Sequence, residues 1–178
     1  MYAAQVEQQI ASQNERIEYL QSLSYTDELT GLFNRRGFAE QVKRTLAAAR
    51  RFGHTGVLVY CDLDNFKEIN DSHGHCVGDK VLRRIAEVAR HSLREIDTIA
   101  RLGGDEFAML IAQTKWAEGM KRVKSLQWAI EGVPSDGLPE VKVSLGIEPY
   151  GPNDTPEYLV RRAYMAMYYV KRRKKGPM

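Results

Sequence analysis

Acidic side chains crowd two short stretches of this chain. The first is Asp62-Leu-Asp-Asn-Phe-Lys-Glu-Ile-Asn-Asp71, which runs on through Ser-His-Gly-His-Cys-Val-Gly-Asp79; the second is Gly103-Gly-Asp-Glu106. The first begins where the apolar run Gly56-Val-Leu-Val-Tyr-Cys-Asp62 ends. Its acids therefore stand at the C-terminal end of a buried strand, where a carboxylate is costly without cations or donors. If the second stretch pairs beside that strand, Asp105 and Glu106 approach Asp62 and Asp64, and several carboxylates converge. The simplest neutraliser is a hard divalent cation with oxygen ligands, Mg²⁺ or Mn²⁺, with phosphates completing its shell. Such an array can drive an in-line phosphoryl displacement. The same spacing also fits solvated turn acids, which collect wherever Asp, Asn and Gly bunch. His73, His75 and Cys76 are tightly bunched and have no distant fourth partner, which does not make a zinc site.

The elements that must position these residues follow from periodicity. Gly56 to Asp62 is β-branched and apolar, as a buried strand requires. After a polar loop, Val81, Leu82, Ile85, Val88, Ala89 and Leu93 form a helical stripe. Thr98 to Arg101 and Phe107 to Ala112 flank the glycines and predict a β-hairpin whose strands are antiparallel neighbours. Trp116 to Ile130 is helical, Val133 to Pro139 a loop, Val141 to Ile147 an alternating strand, and Pro156 to Lys174 a closing helix. Upstream, turn and capping residues from Ser24 to Asn34 precede a helix over Gly37 to Arg51. Without the outer helices the order is β-α-β-β-α-β, the split α+β arrangement, with an antiparallel sheet and helices on one face.

Residues 1–25 stand apart. They lack Gly and Pro, and Ala3, Val6, Ile10, Gln13, Ile17 and Leu20 alternate three- and four-residue spacings, a heptad seam on an amphipathic helix that can pair with a copy of itself. Packing of that helix on its own domain fits the same pattern. The boundary predicts a signalling or coiled-coil helix over 1–25 and one domain over 26–178, in keeping with a 178-residue chain.

Composition narrows the classes. Apolar residues at 43% and charged residues at 28% exclude disorder and predict a packed core. No apolar stretch approaches the roughly 18 residues of a bilayer span, and the N-terminus has no apolar signal core, so membrane contact is not expected. Two cysteines, Cys61 in an apolar run and Cys76 in a polar stretch, make no disulfide framework and point to the cytoplasm. A balance of 26 basic to 23 acidic residues gives no bulk argument for nucleic-acid binding.

Arg101-Leu-Gly-Gly-Asp-Glu-Phe107 resembles the signature of the GGDEF family, the diguanylate cyclases that condense two GTP into cyclic di-GMP. Asp27-Glu-Leu-Thr-Gly-Leu-Phe-Asn-Arg-Arg36, Asp62 to Asp79, and Val143-Ser-Leu-Gly-Ile147 agree in order and spacing, so the resemblance covers about residues 25–175. It implies a ferredoxin-like sheet of the nucleotide-cyclase or palm type.

The resemblance implies a metal site at Asp62, the Leu63 carbonyl, Asp105 and Glu106, holding Mg²⁺ or Mn²⁺. One hairpin acid serves as base for the ribose 3′-hydroxyl and the other as ligand; which does which stays open. Lys67 matches a phosphate-site lysine that offsets charge on the phosphates. Asn70 and Asp79 match guanine readers, and a carboxylate at 79 favours GTP over ATP because adenine lacks the N1 and N2 hydrogens. His75 adds a contact near the nucleotide, and Gly103 and Gly104 let the backbone approach the phosphates. Arg94-Glu-Ile-Asp97 resembles an inhibitory site where product binds away from the cleft, although Arg and Asp at i, i+3 also fit a helix-end ion pair.

The C-terminus departs from the family pattern. Lys171 takes the place of a phosphate-contacting lysine; Lys175 stands where an arginine is usual, followed by Gly176 for asparagine, and Tyr164 replaces an aspartate. Lysine keeps the charge but loses the bidentate fork.

The resemblance further implies one GTP per domain, so the active site forms only between two domains and the N-terminal helix raises their local concentration. A homodimer, product feedback and an upstream sensory domain follow as expectations. Two other readings compete. A catalytically weak domain can serve as a cyclic di-GMP or GTP receptor through Arg94 and Asp97. An RNA-binding sheet needs exposed aromatics, of which the hairpin offers only Phe107.

Overall fold

A computed structural model of the chain describes residues 25–132 and 137–174, with the isolated positions 9, 10, 13 and 20. The N-terminal heptad seam as a whole and Lys175 lie outside the described residues. The elements run α1 (Arg35–Phe52), β1 (Gly56–Asp64), α2 (Phe66–His73), α3 (His75–Ser92), β2 (Thr98–Gly103), β3 (Glu106–Ile111), α4 (Trp116–Glu131), β4 (Lys142–Tyr150) and α5 (Pro156–Lys174). Four strands form one antiparallel sheet in the order β2-β3-β1-β4. This is the split α+β arrangement, with β1 paired on both sides.

Central position accounts for the composition of β1. Val57, Val59, Cys61 and Leu63 point into a core built with α3 and α4, while Leu58 and Tyr60 point into a second core built with α1 and α5. Both faces are buried, so the strand reads as a continuous apolar run. Burial of each such Val or Leu is worth about 1.5–3 kcal/mol. The expectation of helices on one face holds for α3 and α4 only; the outer helices α1 and α5 cover the other. Burial pushes the Cys61 thiol well above its ordinary value, and the neighbouring Asp62 and Asp64 charges add to this.

One expected loop is a helix. The polar stretch after β1 contains α2, whose Phe66 and Ile69 face the core at helical spacing. Asn65 enters it at φ 59°, a left-handed turn that asparagine tolerates. Gly74, at φ 82°, separates α2 from α3.

The turn before α1 is fastened to the hairpin. Asp27 Oδ1 accepts from the Thr30 amide at 2.9 Å and the Thr30 hydroxyl at 2.6 Å, and its two oxygens receive Arg101 Nη1 at 3.2 and 3.0 Å. Arg101 also donates to the Gly104 carbonyl at 2.9 and 2.8 Å, which holds the hairpin turn. Burial works against the Asp27 charge, but Thr30 and Arg101 outweigh it and hold the carboxyl below its ordinary value. A lowered folded value gives stability that is present above the unfolded pKa and is lost as pH falls through the folded one. Asp27→Asn is therefore expected to cost about 2 kcal/mol at neutral pH. In urea unfolding, its difference from the parent shrinks as the solution is acidified below the ordinary aspartate range.

Candidate active site

Antiparallel register brings the two acidic stretches together. Asp62 pairs across from Glu106 on one side and from Ser144 on the other. Asp105 occupies the turn between β2 and β3, where Gly103 and Gly104 adopt φ 137° and 53°, conformations that favour glycine. The Leu63 amide donates to the Asp105 carbonyl at 3.3 Å, tying the turn to the end of β1. The expected approach of Asp105 and Glu106 to the strand-end acids is thus present.

Lysines of α5 close this array. Lys171 Nζ bonds Asp62 Oδ1, and Lys174 Nζ bonds Asp64 Oδ2 at 2.7 Å and the Val143 carbonyl at 2.7 Å. The fully buried Ser144 donates its hydroxyl to Asp64 Oδ1 at 2.6 Å. Arg35 binds Glu106 at 3.1 Å and the Leu102 carbonyl at 3.2 Å. Among the described residues, no three His, Cys, Asp or Glu side chains form a ready metal-holding group.

Charge in the array is nonetheless under pressure. Burial, with the Asp105 and Glu106 charges, holds the Asp62 carboxyl above its ordinary value against the pull of Lys171. Burial alone would lower the Lys171 ammonium, but its bond to Asp62 and the surrounding acids raise it. Burial, then the Glu106 charge, pushes the Tyr60 hydroxyl up to about 12. The acids of the array offer oxygen ligands only, the set that suits a hard divalent cation. A cavity of about 430 Å³ opens beside the array, lined by Asp64, Asn65, Lys142, Lys171 and Lys174 among others.

The helices after β1 carry the other expected site residues. Lys67 is exposed on α2, and His75 is the exposed first residue of α3. Asn70 on α2 and Asp79 on α3 are each half-buried. Between these helices Gly78 is buried, and a Cβ there would collide with Asn70 Oδ1, so the absence of a side chain at 78 fixes where the Asn70 amide lies. Gly78→Ala is therefore expected to displace that amide, which an NMR spectrum of the folded variant reads as a shift of the Asn70 side-chain amide signals.

Arg94 and Asp97 lie elsewhere. They precede β2, whose far end carries Gly103, so six strand residues, about 20 Å, separate them from the hairpin turn. The Asp97 carboxylate is fully buried. It accepts from the Arg94 amide at 2.8 Å and the Ala112 amide at 2.9 Å, and it bonds Arg122 of α4. The Arg94 guanidinium is exposed and has no ion pair among the described residues. The structure therefore does not pair the two side chains as an i, i+3 ion pair.

Sequence reasoning placed Asp64 among the converging acids without giving it a role, and left out Ser144, Lys174, Arg35 and Arg122 as site residues. Asp64 carries a readable signal, since it sits two residues beyond Asp62 on the same strand face. The others meet their partners only through tertiary pairing.

The match to known proteins follows this geometry. Residues 24–177 match the family model described as "Diguanylate cyclase, GGDEF domain". The chain belongs to the GGDEF family. It is 37% identical over 170 residues to diguanylate cyclase DgcP of Pseudomonas aeruginosa, covering 94% of this chain and 25% of that protein. It is 40% identical over 158 residues to diguanylate cyclase TpbB of the same species, covering 86% of this chain and 36% of that one. The chain thus spans about a quarter to a third of the length of these relatives. Among solved structures, the GGDEF domain of DgcB from Caulobacter crescentus, in complex with c-di-GMP, aligns with TM-score 0.78 at 30% identity, covering 84% of this chain and 91% of that one. The GGDEF domain of TpbB aligns with TM-score 0.77 at 41% identity, covering 83% and 89%. No helix among the described residues is long and apolar enough to cross a membrane.

Proposed function

We propose that this domain condenses two GTP into cyclic di-GMP and two pyrophosphates, each domain of a homodimer presenting one nucleotide to the other. The observation that carries the reading is the acid array at the end of β1 and the hairpin, with Lys171 and Lys174 against it and Asn70 and Asp79 on the helices that follow.

Each residue has a task. Asn70 donates to the guanine and Asp79 accepts from its N1 and N2 hydrogens, so ATP leaves a carboxylate without its partner. Lys67 stands exposed to meet the phosphates, and Lys171 and Lys174 are positioned to transfer from the carboxylates to phosphate oxygens. Gly103 and Gly104 leave the hairpin turn without side chains where the phosphates approach. Of Asp105 and Glu106, one takes the proton of the 3′-hydroxyl that attacks the α-phosphate of the other nucleotide. A divalent cation, Mg²⁺ or Mn²⁺, would be held by Asp62, the Leu63 carbonyl and the hairpin acids, and it supplies charge neutralisation at the phosphates. His75 and Lys175 complete the nucleotide contacts. Residues 26–178 act as the catalytic domain, and an upstream sensory unit would control how two such domains meet. Product inhibition acts ahead of the start of β2, away from the hairpin turn, through Arg94; Asp97 already holds two amides and Arg122, so a ligand there has to take over the Arg122 bond.

A receptor reading is favoured by one observation: the α5 lysines already neutralise the acids. The test is turnover. GTP with Mg²⁺ or Mn²⁺ is expected to yield cyclic di-GMP, whereas ATP is not consumed. Bound GTP that is never converted supports the receptor.

A further inference from the structure

On the sheet face covered by α1 and α5, a cavity of about 640 Å³ opens between these helices. Its volume falls in the range of small-molecule sites, about 300–1,000 Å³, and such sites combine an apolar floor with few convergent polar groups. The floor here is Val42 and Val160, with Val42 fully buried. One wall is aromatic: Tyr60 and Tyr164 meet edge to face, with ring centroids 5.3 Å apart at 78°. Tyr60 is buried, while Tyr164 is 39% exposed, and both line the cavity.

Charge in the lining is unevenly satisfied. The Arg35 and Glu106 side chains in the lining neutralise one another at 3.1 Å. Lys43 on α1 and Arg161 on α5 line the cavity from opposite helices and have no ion pair among the described residues; Glu157 is the one other acid in the lining. An excess of unpaired cations above an aromatic and aliphatic floor selects a ligand with an apolar ring and an acidic group. We propose that this cavity is a binding site for a small aromatic carboxylate or similar aromatic anion, its ring against Tyr60 and Tyr164 and its charge met by Lys43 and Arg161. The cavity shares Glu106 with the acid array but lies apart from the Asn70 and Asp79 helices, and none of the roles proposed for nucleotide binding uses its floor.

Naphthoate is a suitable probe because it carries no phosphate for the nucleotide cleft. Titrated into the full chain and followed by methyl NMR, it is expected to shift Val42 and Val160 saturably. Lys43→Gln together with Arg161→Gln weakens binding about tenfold or more, and uncharged naphthalene-methanol binds correspondingly weakly. Ala39→Trp, at an exposed α1 position on the cavity lining, fills the space and abolishes the shifts. Both charge substitutions lie at exposed positions, so they carry the test if the tryptophan variant fails to fold. Absence of shifts at Val42 and Val160 up to the solubility limit overturns the proposal. So does binding that the charge variants leave unchanged, or shifts confined to the Asn70 and Asp79 helices.

Discussion

Replacing Asp105 with alanine is expected to lower conversion of GTP to cyclic di-GMP by about a thousandfold or more, while the domain stays folded and still binds GTP. Asp105 sits at the tip of the hairpin, in a turn made possible by Gly103 and Gly104 and held by Arg101 on the Gly104 carbonyl. None of those supports uses its carboxylate. The carboxylate matters through its charge, which reaches Asp62. Removing it takes away a candidate base or cation ligand, and loss of one group that stabilises developing charge costs about a hundred- to a thousandfold alone. Losing the hydroxyl's proton acceptor or the cation as well pushes the effect to the top of that range. Stability moves little, because one of the acids pressing on the buried Asp62 is gone. Initial rates and a thermal melt of the same preparation check both halves. Full activity in Asp105→Ala refutes the assignment of the hairpin acids.

The second large effect is on stability. Asp97→Ala is expected to destabilise the domain by about 3–5 kcal/mol, because it leaves a guanidinium uncompensated in the interior. The Asp97 side chain is fully buried, Arg122 is only 15% exposed, and Arg122 Nη1 already has no hydrogen-bond partner. Two further amides, of Arg94 and Ala112, lose their acceptor. A domain stable by about 5–15 kcal/mol can lose a third or more of that total. The urea midpoint of Asp97→Ala measures it. The double variant Asp97→Ala with Arg122→Met recovers much of the loss, because it leaves no buried unpaired charge. A midpoint unchanged in the single variant contradicts this account of the Asp97 cluster.

The parts of the fold legible in sequence are those fixed by local pattern. The apolar run of β1, the hairpin around its glycines and the bounds of α5 at Pro156 and Lys174 all follow from periodicity and turn residues. Helix α2 escaped because only Phe66 and Ile69 mark its buried side among polar neighbours. The second core escaped because α1 and α5 show amphipathic stripes, but nothing local says which sheet face each one covers.

The site divides in the same way. Register alone brings Asp62 opposite Glu106, and the hairpin pattern was enough to anticipate it. The partners of Asp97 were not accessible: Arg122 lies 25 residues away on α4, whereas the i, i+3 spacing pointed at Arg94. Lys174 is similar, since a basic helix end reads as solvated until the fold sets it against Asp64. Gly78 gave no signal beyond its place before Asp79, and its meaning is steric, a clearance for Asn70.

The central claim is that two of these domains, each carrying a GTP, make one cyclic di-GMP. The measurement that tests it most directly is the initial rate with GTP and Mg²⁺ or Mn²⁺ across a range of protein concentrations, after co-purified cyclic di-GMP is stripped, with products resolved by chromatography and mass detection. Cyclic di-GMP with two pyrophosphates for each, at a rate rising more than linearly with protein, is the predicted result. No product from protein shown to bind GTP and to dimerise would contradict it.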